Sequence, residues 1–141
     1  MKTIYALFEA FFYVLLGGIL YFNTEILYRG HSHYSMFLCG GIVFYCISLF
    51  NRIYDTKVCL LIRMIVSSII ITSIELLFGI LFNLYLNQHV WDYSNQFLNY
   101  KGQICLGYSI LWFFLSLPIL YFEQILRHRL NQRQIVFPIQ K

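Results

Sequence analysis

Charge is what this sequence has least of. Only 11% of its 141 residues are charged, whereas a soluble domain carries roughly 25%. That is too little polar surface to cover a water-soluble globule of this length, so a soluble single domain is excluded. Nucleotide-handling motifs are missing too. There is no Walker A glycine loop, no Cys-x-x-Cys and no Rossmann fingerprint, and therefore no motif with which the chain could bind and hydrolyse ATP. No small-x-small cleavage site closes the first apolar stretch. That stretch runs well past the roughly 7–15 residues of a signal-peptide core, so it is read as a retained helix. The four cysteines do not suggest a disulfide framework. Cys39, Cys46 and Cys105 fall inside predicted helices and Cys59 starts one, so all four are read as small apolar filler. Cys39 and Cys105 both fall near outer helix ends, but nothing in the sequence supports a bridge between them.

What is there is apolar and aromatic. Hydrophobic residues make up 60% of the chain and aromatics 20%. Four runs stand out, at about 4–28, 34–50, 59–86 and 103–126. A spanning helix needs about 17–25 mainly apolar residues. Barrel strands would alternate and be about half as long. Lipid requires each backbone group to be satisfied within its own segment, so the runs are helices. The expected architecture is all-α, a single polytopic membrane domain over residues 1–141 with four transmembrane helices. Gly17-Gly18 and Gly40-Gly41 would let the first two helices approach closely, and Pro118 would kink the fourth.

Lysine and arginine set the expected orientation. With four spans, Lys2, Arg52, Lys57, Arg63, Arg127, Arg129, Arg133 and Lys141 share one side, and the other holds Arg29 and Lys101. This asymmetry predicts both chain ends in the cytoplasm of a bacterial cell, in its plasma membrane. The net charge of +4 then reflects topology and anionic lipid head groups, not nucleic acid. Arg127-His128-Arg129 reads as a helix-end anchor, with a docking patch as the alternative. Glu9 and Glu123 lie towards the same side, where they could pair with Arg63.

The informative residues are those that are costly in a membrane. Glu75 falls near the middle of the third helix, where a charge costs about 2.5–3.5 kcal/mol on insertion scales. At helical spacing it aligns with Ser68, Thr72, Gly79 and Asn83, a polar and small stripe that should face the bundle. Glu75 could be an interhelical hydrogen-bond anchor, or it could be a substrate, ion or proton site. Glu25 and Arg29 are an i,i+4 pair near the outer end of the first helix, worth about 0.2–0.5 kcal/mol as a plain ion pair. The short loop that follows holds His31, Ser32, His33, Tyr34 and Ser35. The third-to-fourth connection opens on the same side with His89, Trp91, Asp92, Tyr93, Ser94, Asn99 and Gln103. Two loops thus gather hydrogen-bonding groups at one face, and the other face reads as simply basic.

Three chemistries suit these loops. A metal could take His31, His33 and His89 with Asp92 or Glu25. A Ser-His-acid site could use Ser32, Ser35 or Ser94 with a histidine and Asp92, although no strained nucleophile turn is visible. An anion pocket of Arg29, histidines and loop amides is simpler. Against all three, Trp91, Tyr93 and Tyr34 could be interfacial belt aromatics, with the rest serving as loop caps.

Trp91-Asp92-Tyr93-Ser94, Asn99, Gly102-Gln103-Ile104-Cys105-Leu106, Ser109 and Trp112 resemble the signature of a bacterial membrane family, the ABC-transporter type IV or CmpB-like family. Glu25, Tyr28-Arg29-Gly30, Ser32-His33, Ser35-Met36, Gly40-Gly41, Glu75 and Gly79 match it too, so the resemblance spans roughly 25–112. Phe97 stands where a proline is expected, which leaves that turn's geometry open. The resemblance implies a permease-like component for a small or lipid-linked solute, working with a separate ATPase on its cytoplasmic face. A thin four-helix wall would also suit a homodimer. In this reading the substrate meets Glu25, Arg29, His31, His33, Glu75, Asn83, His89, Trp91, Asp92, Tyr93, Ser94, Asn99 and Gln103. Membrane lipids are the surrounding partner, and neither a metal nor a cofactor is assigned. The alternatives are a membrane-embedded enzyme acting on lipid head groups, with His33 or His89 as base and Asp92 orienting it, and a non-catalytic assembly or regulatory subunit.

Overall fold

A computed structural model describes residues 2–136. Lys141, counted above with the basic side, lies outside the described residues. Four helices run α1 (Lys2–Arg29), α2 (Tyr34–Tyr54), α3 (Leu60–Phe78) and α4 (Leu106–Val136), and α3 continues as a wider π-helical segment over Gly79–Tyr85. Four stretches are long and apolar enough to cross a membrane: Ala6–Arg29, Tyr34–Tyr54, Leu60–Tyr85 and Leu106–Leu130. The chain is a multi-pass, all-α membrane protein.

Three boundaries differ from expectation, one of them the end of α4, which runs past 126 to Val136. Helix α2 runs through Asn51 and Arg52 to Tyr54, because side chains there bond to neighbouring helices and not to water. Helix α4 begins at Leu106, not at 103. Gln103 is taken into the preceding loop, where its amide is needed.

The helices run up and down. Their turns leave the α2–α3 connection at the basic end and the α1–α2 and α3–α4 loops at the other, called here the loop end. Helix α2 is the most enclosed, and its Cys39, Val43 and Ile47 form the core with Met64 and Ile71 of α3 and Leu120 of α4. All four cysteines are free; Cys39 and Cys105 are buried, but Cys59 is exposed ahead of α3 and is not core filler.

Helix α1 packs on α2 through the two glycine pairs. A Cβ at Gly40 would stand 2.3 Å from Tyr21 Cβ, one at Gly41 would stand 2.4 Å from the Val14 carbonyl oxygen, and one at Gly17 would stand 2.4 Å from Phe44 Cβ. Backbone and Cβ atoms cannot move aside, so Gly40→Ala should push the helices apart and cost about 1–3 kcal/mol. Unfolding in detergent tests this against Gly107→Ala, where a Cβ meets nothing within 4 Å. Equal stability of the two variants would show that the helix contact is not as close as this.

The basic end is not simply basic. Fully buried Glu123 of α4 accepts from Ser48 Oγ (3.3 Å), from Asn51 Nδ2 and from Arg127 Nε (3.2 Å). Arg127 also pairs with Asp55, and Arg52 pairs with Glu9 across α1 and α2. Arg63 bonds neither Glu9 nor Glu123, contrary to expectation. It donates to Asn51 Oδ1 and to the Asp55 carbonyl oxygen (3.2 Å). Asn51 thus passes the interaction from Arg63 to Glu123, joining α2, α3 and α4. Arg127 is a part-buried member of this lock, so its guanidinium is engaged by Glu123 and Asp55 within the bundle.

Candidate functional site

The loop end holds the site candidates, and it is built from α3 outward. The stripe predicted along α3 does face the bundle. Ser68 Oγ donates to the Ser109 carbonyl oxygen (2.8 Å) and Thr72 Oγ1 to Ser109 Oγ (3.3 Å), both on α4. One turn on, Glu75 is 3% exposed. Its two oxygens are taken separately: Tyr93 Oη donates to Oε1 at 3.1 Å and Trp112 Nε1 donates to Oε2 at 2.9 Å. Tyr93 comes from the α3–α4 loop and Trp112 from α4. A loop residue and a helix residue therefore meet on an acid inside a spanning segment.

The loop reaches that far because it folds back into the bundle. Gly79 leaves room for it: a Cβ there would stand 2.6 Å from Gln103 Oε1 and 3.1 Å from Trp91 Cζ2. Asn83, presented on the π-helical segment, fixes it. Its Nδ2 donates to the Trp91 carbonyl oxygen (3.0 Å) and to Gln103 Oε1 (2.8 Å), and its Oδ1 accepts from the Val90 amide (2.6 Å). Trp91 Nε1 donates to the Gln103 carbonyl oxygen (2.9 Å). Trp91 is thus buried at 6% exposure, and Tyr93 points inward to stack on Tyr108 with ring centres 4.4 Å apart. Neither is an interfacial belt aromatic. Burial and the neighbouring Glu75 push the Tyr93 phenol well above its ordinary pKa, so it stays a neutral donor.

The outer half of the loop ties itself together. Exposed Asp92 accepts the Ser94 amide through Oδ1 (2.8 Å), and this bond holds its carboxyl below the usual carboxylate range. Asn99 Nδ2 donates to the Ser94 and Gln96 carbonyl oxygens (3.0 and 2.9 Å), and its Oδ1 accepts the Gly102 amide (3.1 Å). Gly102 has φ +68, and a Cβ there would stand 2.7 Å from Asp92 Oδ1, so a side chain at this turn would push the Asp92 carboxyl off the Ser94 amide.

The first loop makes bonds of its own and touches the second through Tyr34, whose hydroxyl bonds the Gln88 side chain (3.1 Å) and whose ring meets Phe82. Glu25 accepts from Arg29 (2.6 Å) through one oxygen and from Ser32 Oγ (2.6 Å) through the other. The pair is part-buried, and Glu25 lies within electrostatic range of Glu75, with Tyr21 in range of both. Tyr21 was missed in the sequence as a site residue, because an aromatic in an apolar run gives no signal of its own, and Trp112 stood out only as part of the family signature. The histidines do not converge. His33 Nδ1 caps α2 by accepting the Ser35 amide (3.3 Å), His31 Nδ1 lies 3.1 Å from the Arg29 carbonyl oxygen, and His89 is exposed. Among the described residues no three His, Cys, Asp or Glu side chains come together to hold a metal. Asp92 and His89 are within electrostatic range, but Asp92 gives its bond to Ser94.

A family model described as "Putative ABC-transporter type IV" matches residues 6–137. The chain belongs to this family. It is thereby a transport-related membrane component, and association with other transporter parts goes with that description. No curated protein and no solved structure matches the chain. In this ABC-transporter type IV chain, Glu75 with Tyr93 and Asn83 with Trp91 and Gln103 form two bonded groups between the same helix and the same loop. Asp92, Ser94 and Asn99 shape the loop around them, Glu25 and Arg29 lie beside them, and His31, His33 and His89 stay outside.

Asn83→Leu tests how the loop is held. It would strand the Val90 amide, the Trp91 carbonyl and the Gln103 amide oxygen, at roughly 2–4 kcal/mol. Amide exchange across residues 88–104 should then speed up by tenfold or more, at about 1.4 kcal/mol per tenfold. Unchanged exchange would mean that the loop is held by something other than Asn83.

Proposed function

We propose that this chain is a permease-like subunit for a small or lipid-linked solute, in which Glu75 is a gating or proton-linked acid and the α3–α4 loop is its latch. One observation carries the reading. An acid in the middle of an apolar span is expensive, and here one of its two partners, Tyr93, sits on a loop that can move without unwinding a helix. With the latch closed, both Glu75 oxygens are occupied. Lifting the loop withdraws Tyr93 and exposes one oxygen to a solute, a cation or a proton arriving from the loop end. Arg29, held part-buried by Glu25, is the cation nearest at hand for an anionic group on that solute.

The skew of lysine and arginine supports an orientation with both chain ends in the cytoplasm and the latch facing out, in a bacterial plasma membrane. A separate ATPase would then dock on the basic end, where Arg52, Asp55, Arg63, Glu123 and Arg127 tie the helices into one unit able to transmit a push. The enzyme alternative loses support, because neither His33 nor His89 is hydrogen-bonded to Asp92. Mild-detergent purification of the tagged full chain from its native host, with mass spectrometry of what co-elutes, tests the proposal. A stoichiometric ATPase is the expected companion. A lone monomer or homodimer would overturn the ATPase-driven reading.

A further inference from the structure

The α3–α4 loop has a second face that the latch does not use. Phe97 is 77% exposed, Leu98 66% and Tyr100 53%. Residues 93–100 carry no charged side chain, and Lys101, just beyond, lies 5.8 Å over the Tyr100 ring. Leu98 is held at φ 49, a left-handed conformation costing about 1–2 kcal/mol outside glycine. A loop tip in water gains nothing from showing two large apolar side chains at that cost.

Depth supplies the reason. The span Leu60–Tyr85 is 26 residues long, at most about 39 Å at the α-helical rise of 1.5 Å per residue, against about 30 Å of hydrocarbon and about 40–45 Å with head groups. Its last turns therefore lie in the head-group zone. Gln103 and Trp91 pack on Gly79, and Asn83 bonds the Trp91 carbonyl. The loop thus sits beside those last turns and not above them.

Irregular backbone at such depth is satisfied by protein where it packs on the bundle and by head-group water at the rim, since only the hydrocarbon core lacks water. Protein serves part of this loop: the Tyr93 amide donates to the Gly102 carbonyl (2.8 Å), Gln96 to Tyr93 (2.8 Å), Tyr100 to Ile104 (2.9 Å) and Gln103 to Tyr100 (3.0 Å). Asn83, Asp92 and Asn99 side chains serve others. The loop is thus folded on itself, and the Phe97 and Leu98 backbone, which makes no such bond, is left to head-group water, so that only their side chains reach an apolar surrounding.

We propose that this face of the loop is a lipid-contact surface, with Phe97 and Leu98 seated at the acyl boundary of the leaflet at the loop end, Tyr100 at head-group level and Lys101 reaching the lipid phosphates. Aromatic and lysine side chains suit that boundary, each having an apolar body and a polar end. The inference rests on the spanning fold and not on the transport reading. It gives the loop two contacts, lipid on one face and Glu75 on the other, so that lipid packing bears on the latch.

Spin labels at Phe97→Cys and, separately, Leu98→Cys test this. The full-length protein carries Cys59→Ser, which removes the exposed thiol, and is reconstituted in phosphatidylcholine–phosphatidylglycerol vesicles. Collision with oxygen, which concentrates in lipid, should exceed collision with a water-soluble nickel chelate at both sites, and the order should reverse at a label on exposed Asn95→Cys. Nickel collisions dominating at 97 and 98 would overturn the proposal by placing the tip in water. Low collision with both reagents would overturn it in favour of a protein cover, either a second copy or another subunit. None of these outcomes depends on whether the chain transports anything.

Discussion

Glu75→Gln should stop substrate movement while the chain still inserts, folds and binds its partners. The substitution keeps volume and one acceptor oxygen, so Trp112 or Tyr93 retains a bond and stability should fall by less than about 1.5 kcal/mol. What is lost is an ionisable group that can receive a proton or a cation when the loop lifts. A charge-assisted contact of this kind is worth about 1.5–3 kcal/mol, which corresponds to roughly a 10- to 100-fold loss at about 1.4 kcal/mol per tenfold. The measurement is substrate movement in reconstituted vesicles, run with the companion subunits if these co-purify. Tyr93→Phe belongs in the same series. It removes the latch bond and leaves the acid, so it should alter the rate without abolishing movement. Parental transport by Glu75→Gln would reduce Glu75 to a structural hydrogen-bond anchor.

The largest stability loss should come from the other end of the bundle. Glu123→Ala removes the acceptor for Ser48, Asn51 and Arg127 in a place with no water to replace it. Breaking a buried ion pair from one side typically costs about 3–5 kcal/mol, because the remaining charge is left uncompensated. Arg127 keeps Asp55, which places the expectation at the lower part of that range. Unfolding in detergent, followed by loss of helical signal, reads this directly. Glu123→Gln preserves the acceptor to Asn51 and should lose much less. Equal losses in the two variants would show that packing, and not hydrogen bonding to the carboxylate, holds the end together. A small loss in both would mean that Arg63, Asn51 and Asp55 suffice.

These two acids show where the sequence could be read and where it could not. Glu75 announced itself because a charge amid Ile, Leu and Phe stands out against its own run. The i,i+4 stripe through Ser68, Thr72, Gly79 and Asn83 told which way it faces. Glu123 sits near the end of its apolar run with Arg127 one turn on, which reads equally well as a surface ion pair. Its partners Ser48 and Asn51 lie 75 and 72 residues away, and no local pattern links them. For the same reason Arg63 was expected to meet an acid but took an amide and a carbonyl instead.

The sequence by itself determined that the chain spans a membrane in four helices, and that α1 and α2 approach closely at two glycine pairs. These properties follow from hydrophobic length and from the absence of a side chain, and both act within a segment. The tertiary structure decided what the polar residues do. It turned Trp91 and Tyr93 inward, made Asn83 and Gln103 a clamp and placed the histidines apart. It also joined buried Asn51, Arg63 and Glu123 with part-buried Arg127 into one lock. Those roles depend on which donors and acceptors from distant segments come within about 3 Å of one another, and only the packed bundle sets that.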